Sequence, residues 1–136
     1  FSEEVEVVKQ TTTNNTTTLD VVFDGKEVLE FQQLIRKTPV ADNVIEYAVE
    51  MISKSRPNTK RTSELISQFV DWGAGPRASQ NLILASKTHA VLHGKYTPDI
   101  EDVQAVATSV LRHRIIKNYK AAAEGISIEK IIESLF

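Results

Sequence analysis

Apolar residues recur every three or four positions along most of the chain, which is the spacing of an amphipathic helix. The predicted helices cover residues 1–10, 25–38, 42–56, 63–71, 76–93, 98–114 and 127–136. Short polar joins separate them, and several carry proline or glycine. The pattern predicts an all-α helical bundle, with at most a small two-stranded contact between residues 38–40 and 96–97.

The helix over residues 76–93 is the longest of these. Its predicted core stripe is formed by Leu82, Ala85, His89 and Leu92. Gly94 follows at the position where glycine commonly ends a helix. Thr97 then serves as the predicted N-cap of the next helix, with Pro98 in its first turn.

The first 26 residues differ in character from the rest of the chain. A short helix is followed by a threonine- and asparagine-rich run over residues 11–18, which we expect to be a flexible loop. Asp24 and Glu27 have the spacing of a capping box and open the next helix. We therefore expect an N-terminal helix and loop over residues 1–26 and a helical domain over residues 27–136, within one domain overall.

Composition narrows the classes of function. The chain has 136 residues, no cysteine and a net charge of −2, so thiolate chemistry is excluded and nothing draws the whole molecule to nucleic acid or anionic lipid. No apolar run approaches the ~20 residues that span a bilayer, and we expect no membrane partner. The start at Phe1 rather than methionine suggests a piece of a longer protein.

A glycine-rich turn carries the main candidate site, formed by Gly73, Ala74, Gly75, Pro76, Arg77 and Ala78. Pro76 suits the first position of a helix, so Arg77 falls in the first turn, where its charge opposes the helix dipole. A bound anion would reverse that conflict, because the free N–H groups and the guanidinium would both face it. The alternative is a surface arginine paired with an acid such as Asp71.

Two further clusters have weaker functional interpretations. Arg112, His113 and Arg114 could contact a neighbouring subunit or a nucleic-acid backbone, or could simply be cations at a helix end. His89 and His93 are four residues apart, a spacing that can bind a metal, but no third ligand is identifiable. We therefore assign no metal site.

Three ordered blocks resemble the C-terminal lid of MoxR-type AAA+ ATPases. They are W-G-A-G-P-R-A at residues 72–78, G-K-Y-T-P-D-I-E-D-V at 94–103 and V-L-R-H-R at 110–114. Residues 30–36, 44–47 and Ser55-Arg56 also match the family wording, so the resemblance covers residues 27–136. Gly75 departs from a more usual serine, and Ala41 replaces a serine cap.

The resemblance implies that Arg77 is the "sensor 2" arginine, which reaches a nucleotide held by the protein's own N-terminal ATPase core. It further implies that the full-length protein binds ATP and Mg²⁺ and forms a hexameric ring in the cytoplasm. The same resemblance implies a chaperone-like role and a partner protein with a von Willebrand factor A domain. This sequence contains no G-x-x-x-x-G-K-[ST] phosphate loop. We therefore expect that the chain neither binds ATP tightly nor hydrolyses it by itself.

Two other classes of function stay open at this point. A nucleic-acid-associated module would use the basic cluster at residues 112–114, although the absence of interleaved aromatic residues disfavours it. A helical module for protein interaction would make Arg77 incidental.

Overall fold

The computed structural model describes residues 1–14 and 19–136. Its helices α1 to α8 span Ser2–Thr12, Gly25–Lys37, Asp42–Lys54, Glu64–Phe69, Pro76–Leu92, Ile100–Leu111, Tyr119–Ala123 and Ile128–Glu133, and its strands β1 and β2 span Val70–Trp72 and Ile116–Lys117. The chain divides into two compact units, residues 1–30 and 31–136. The helical class and the presence of a small two-stranded sheet are confirmed, but the sheet does not lie where the sequence predicted it.

The first unit contains α1 and the beginning of α2. Thr11 and Thr12 prolong α1 beyond its predicted end, because their hydroxyls donate to the carbonyls of Val7 and Val8 at 2.8 and 2.7 Å. Residues 15–18 of the predicted loop lie outside the described residues. None of the residues in α1, all of which the structure describes, is buried.

Helix α2 begins with the predicted capping box. The Glu27 N–H donates to Asp24 Oδ1 and the Asp24 N–H donates to Glu27 Oε2, both at 2.8 Å. The helix ends before Pro39, as its sequence predicts. Val28, Phe31 and Leu34 recur at helical spacing along α2, but all three are exposed.

The core of the second unit lies between α3, α5 and α6. Helix α3 buries Val44, Ala48, Met51 and Ile52, whereas Ile45 is exposed. Ala41 precedes α3 without forming a side-chain cap, as expected of alanine.

The buried face of α5 differs from the predicted stripe. The residues that pack inward are Ala78, Leu82, Ser86 and Ala90. Three of these four are small, which lets the neighbouring helices approach α5 closely. Leu92, which the predicted stripe included, is 79% exposed. The helix does end at Gly94, whose φ of 73° is the left-handed conformation expected there.

Helix α6 starts two residues later than its N-cap assignment implied. Asp99, not Thr97, is the N-cap, and Asp99 and Asp102 form a capping box. The Thr97 hydroxyl instead donates to the carbonyl of Pro39 at 3.2 Å. The predicted contact between residues 38–40 and 96–97 is therefore a side-chain hydrogen bond and not a pair of strands.

The two-stranded sheet lies elsewhere. Strands β1 and β2 pair antiparallel, with Val70 opposite Lys117 and Trp72 opposite Ile116. Residues 70–71, predicted as the end of a helix, belong to β1. Asn118 extends this junction, because its backbone N–H donates to Phe69 at 3.0 Å and its side chain caps the short helix α7, which the sequence pattern did not predict. The final helix α8 is capped by Ser127, whose side chain accepts a hydrogen bond from the Lys130 N–H.

Candidate functional site

The glycine-rich turn connects β1 to the first residue of α5. Gly75 is the N-cap of α5, in an extended conformation and without a side-chain hydrogen bond, and Pro76 is the first helical residue. Arg77 follows and is exposed. Within residues 1–14 and 19–136 its guanidinium forms no ion pair, so the alternative pairing with Asp71 is not formed. A charged side chain thus stands at an uncapped helix start.

The turn is fastened to the end of α3. The Ala74 N–H donates to Ser55 Oγ at 3.0 Å, and Arg56 Nε donates to the Ala74 carbonyl at 2.9 Å. Ser55 is fully buried and its hydroxyl donates onward to the carbonyl of Ile52 at 2.7 Å. Both backbone polar groups of Ala74 are therefore satisfied by two consecutive residues of another element.

The two glycines of the turn have different roles. A Cβ at Gly73 would lie 2.3 Å from the Ser55 carbonyl oxygen and 2.6 Å from the Arg56 Cα, so glycine is required by close backbone approach. A Cβ at Gly75 would meet nothing within 4 Å. The space around Gly75, at the N-terminus of α5, is consequently open, whereas Gly73 is packed tightly against the end of α3.

A cleft of about 390 Å³ opens beside this turn. It is lined by Arg56, Pro57, Asn58 and residues 71–76. Four of the six predicted site residues, Gly73 to Pro76, thus line one cleft at the start of α5. Arg77 follows them as an exposed residue of α5, and Ala78 lies on the buried face of the same helix. Sequence reasoning missed the contribution of Ser55 and Arg56, because a contact across 18 or 19 residues leaves no local pattern.

The predicted basic cluster lies in the turn after α6, and its members separate. Arg112 is directed to α8, where it pairs with Glu129 at 3.4 Å. Arg114 donates to the Val110 carbonyl and contacts the His113 ring. His113 and Arg114 also line a second cleft, of about 450 Å³, together with Arg36.

That second cleft, which we call the basic cleft, has no acidic residue in its lining. Its walls are formed by Gln32, Ile35, Arg36, Asn81, Leu84, Ala85, Thr88, Ser109, Val110, His113 and Arg114. Asn81, Leu84 and Thr88 follow Arg77 at four, seven and eleven positions, so they continue the helical face that carries it. One side of α5 therefore presents both Arg77 and the basic cleft.

The histidine pair has structural partners. The ring centroids of His89 and His93 lie 4.1 Å apart. His89 Nδ1 is hydrogen-bonded to Asp102 Oδ1 at 2.7 Å, and His93 Nδ1 is hydrogen-bonded to the His89 carbonyl, also at 2.7 Å. No group of three or more potential metal ligands occurs among the described residues. The hydrogen bond of His89 to Asp102 thus joins α5 to α6.

Asp102 is a fully buried carboxylate at this contact. Burial raises its pKa, but hydrogen bonds from the Asp99 N–H, His89 and Lys95 outweigh that effect and lower the pKa from 3.8 to about 2. Lys95 donates to Asp99 at 2.9 Å and to Asp102 at 3.0 Å, and both bonds raise the pKa of its ammonium group. This cluster fixes the connection between α5 and α6.

In the described part of the chain, none of the helices combines the length and the apolar character needed to cross a bilayer.

Comparison with known proteins places the chain in a family. A model of the AAA lid domain matches residues 62–135. The mycobacterial chaperone MoxR1 (Mycobacterium tuberculosis) is 31% identical over 114 residues, which are 79% of this chain and 30% of that protein. The uncharacterized protein YeaC of Bacillus subtilis is 28% identical over 136 residues, or 99% of this chain and 40% of YeaC.

A solved structure is similar across nearly the whole chain. The crystal structure of a proposed ATPase from Cytophaga hutchinsonii superposes with a TM-score of 0.81 at 30% sequence identity, covering 98% of this chain and 41% of that one. The chain thus spans 30–41% of the length of these three relatives.

Proposed function

We propose that this chain, which belongs to the AAA lid domain family and is the lid of a MoxR-like AAA+ ATPase, senses nucleotide through Arg77. The nucleotide would be held by an ATPase core elsewhere in the longer protein. Gly73, Ala74, Gly75, Pro76 and Ala78 would form the turn that presents the arginine. One observation carries this proposal: Arg77 is an exposed cation without an ion pair in the described part of the chain, at the uncapped start of α5.

The chemistry of the turn suits a phosphate. The first N–H groups of α5 have no side-chain acceptor at the N-cap, and they are partly positive. The guanidinium adds a planar fork of donors that stays charged at all physiological pH values. The empty space around Gly75 would let phosphate oxygens approach both. The residues present therefore fit a nucleotide phosphate.

In the complete protein, ATP and Mg²⁺ would supply the cleavable phosphate bond and the charge that neutralises it. The part of this chain would be to contact the phosphates through Arg77 and to change the lid position when that contact is lost. The chain alone should not hydrolyse ATP.

We also propose that the basic cleft faces another subunit of a ring. Its lining combines an apolar floor at Ile35 and Leu84 with the cationic groups of Arg36, His113 and Arg114, which would suit an acidic and partly apolar surface. Arg112 would contribute less directly, because it is already paired with Glu129. A hexameric ring, a cytoplasmic location, chaperone-like work and a von Willebrand factor A-domain partner complete the proposal.

The decisive experiment uses the full-length ATPase that carries this lid. Arg77→Ala should lower kcat/KM for ATP by about 100-fold, the order of effect that follows removal of one preorganised charge-stabilising donor. Arg61→Ala is the matched control, because Arg61 is exposed on the connector before α4 and should leave turnover unchanged. Equal activity of wild type and Arg77→Ala would refute nucleotide sensing.

A salt titration separates this function from nucleic-acid binding. If the basic cleft served DNA, this chain would bind a duplex with an affinity that falls steeply with salt concentration. We expect no such binding, and micromolar binding at 150 mM salt would favour the nucleic-acid alternative.

A further inference from the structure

The fastening of the turn to α3 has a consequence for Arg77. From this geometry we infer that Ser55 and Arg56 are positioning residues for Arg77, acting through the backbone of Ala74. This inference rests on the proposed nucleotide-sensing function. Neither residue needs to touch the nucleotide itself.

The backbone path is short and fully specified. Ala74 is three residues before Arg77, and the Ala78 N–H donates to Gly75 at 2.9 Å, which closes the first turn of α5 directly behind it. A shift of Ala74 would therefore be transmitted to the start of α5. Since the N-cap residue Gly75 has no side chain, the orientation of this helix start must come from the residues before it.

Two kinds of constraint fix Ala74. One is attractive, because its N–H and carbonyl bond to the buried Ser55 hydroxyl and to Arg56 Nε. The other is repulsive, since Gly73 lies so close to the Ser55 and Arg56 backbone that a Cβ would not fit. The hydrogen bonds of Ala74 and the tight packing of the preceding Gly73 therefore leave the turn little freedom to move relative to the end of α3.

Arginine suits this position better than lysine. The Nε–H lies in the plane of the guanidinium, so bonding through it fixes the direction of the whole group, whereas an ammonium rotates freely. Arg56 is half-buried, which limits competition from water for the Ala74 carbonyl. Lysine could keep one donor there but not the planar geometry.

The test is a double-mutant cycle in the full-length ATPase, with kcat and KM for ATP as readouts. Arg56→Ala should lower kcat/KM by about tenfold, since small misplacements of a charged contact cost rates of this order. The loss should vanish when Arg77→Ala is already present, and Arg56→Lys should restore part of it. Arg61→Ala, an exposed arginine nearby, should change neither constant.

The outcomes are distinct. A silent Arg77→Ala would refute the nucleotide sensor and the positioning role with it. An active sensor combined with a silent Arg56→Ala, or with losses that multiply in the double variant, would refute the positioning role alone.

A second measurement addresses the turn in this chain without nucleotide. Hydrogen exchange at the Ala74 amide should be slow in the wild type and about tenfold or more faster in Ser55→Ala, which removes its acceptor. Equal exchange rates would overturn the assignment of Ser55.

Discussion

His89 Nδ1 lies 2.7 Å from Oδ1 of Asp102, and this bond joins the last turn of α5 to the first turn of α6. Because the buried carboxylate is ionised, it can only accept, so the Nδ1 of His89 carries the proton in this contact. The second carboxylate oxygen receives Lys95 and the Asp99 N–H, at 3.0 and 2.9 Å. The carboxylate is therefore saturated by donors from both sides of the α5–α6 connection.

Removal of that charge should destabilise the fold. Asp102→Asn keeps the shape but loses three charge-assisted bonds, so we expect the free energy of unfolding to fall by about 2–4 kcal/mol in urea denaturation. Asp71→Asn is the control, because Asp71 is exposed and should shift stability by less than about 0.5 kcal/mol. A similar small effect for both variants would show that Asp102 is not a major structural contact.

The lowered pKa of Asp102 predicts acid sensitivity. Its stabilisation is fully present above about pH 4 and is lost as the pH falls through the folded-state pKa of about 2. Over that interval the wild type should lose about 2 kcal/mol more than Asp102→Asn, as measured by chemical denaturation at successive pH values. Parallel curves for the two proteins would contradict the assignment.

The raised pKa of Lys95 acts at the other end of the scale. Its contribution is present below the ordinary lysine pKa of 10.5 and is lost as the pH rises through the raised folded-state value. Replacing Lys95 by methionine should therefore flatten the loss of thermal stability in strongly alkaline buffer, while Lys60→Met, on the exposed connector before α4, should not.

The two glycines of the turn should respond oppositely to alanine. Gly73→Ala should cost about 2–3 kcal/mol, because backbone atoms of Ser55 and Arg56 must move away from the new methyl group. Gly75→Ala should change stability by less than about 1 kcal/mol, since nothing lies within 4 Å. Thermal denaturation of both variants measures the difference, and equal costs would show that the close approach at Gly73 is unimportant.

Gly94 gives a separate test of helix termination. Its φ is 73°, and the Lys95 N–H donates to the Ala90 carbonyl at 2.9 Å across it. Gly94→Ala should cost about 1–2 kcal/mol, because alanine disfavours the left-handed conformation. Gly94→Asn should cost less, since asparagine tolerates it. If the two variants were equally stable, backbone conformation would not be the cause.

Local chemistry in the sequence predicted seven of the eight helices that the structure describes. The Asp24–Glu27 capping box acts within four residues, so its pattern is legible without a structure. The order of the three family blocks likewise identified the lid. The turn at Arg77 was recognised because Pro76 and the glycines determine its shape locally.

Contacts between distant segments were not predictable in this way. The partner of β1 is more than 40 residues away, so residues 70–71 read as the end of a helix. Asp99 prevailed over Thr97 as a cap because Asp102 is also bound by His89, a contact that only the packed helices create. On α5, close packing selected Ser86 and Ala90 over Leu92, contrary to hydrophobicity alone.

Trp72, whose side chain is 71% exposed, is the single tryptophan of the sequence and stands three residues before the N-cap of α5. The chain therefore carries its own optical reporter at the place where we expect a nucleotide-binding core to dock. In the free chain the fluorescence emission of Trp72 should resemble that of a solvated indole. When the ATPase core covers the turn, the emission maximum should shift to the blue, and no added label is needed. Titration of a separately produced ATPase core could thus be followed by fluorescence alone, and its reversal by exchanging one nucleotide for another would time the opening of the lid directly.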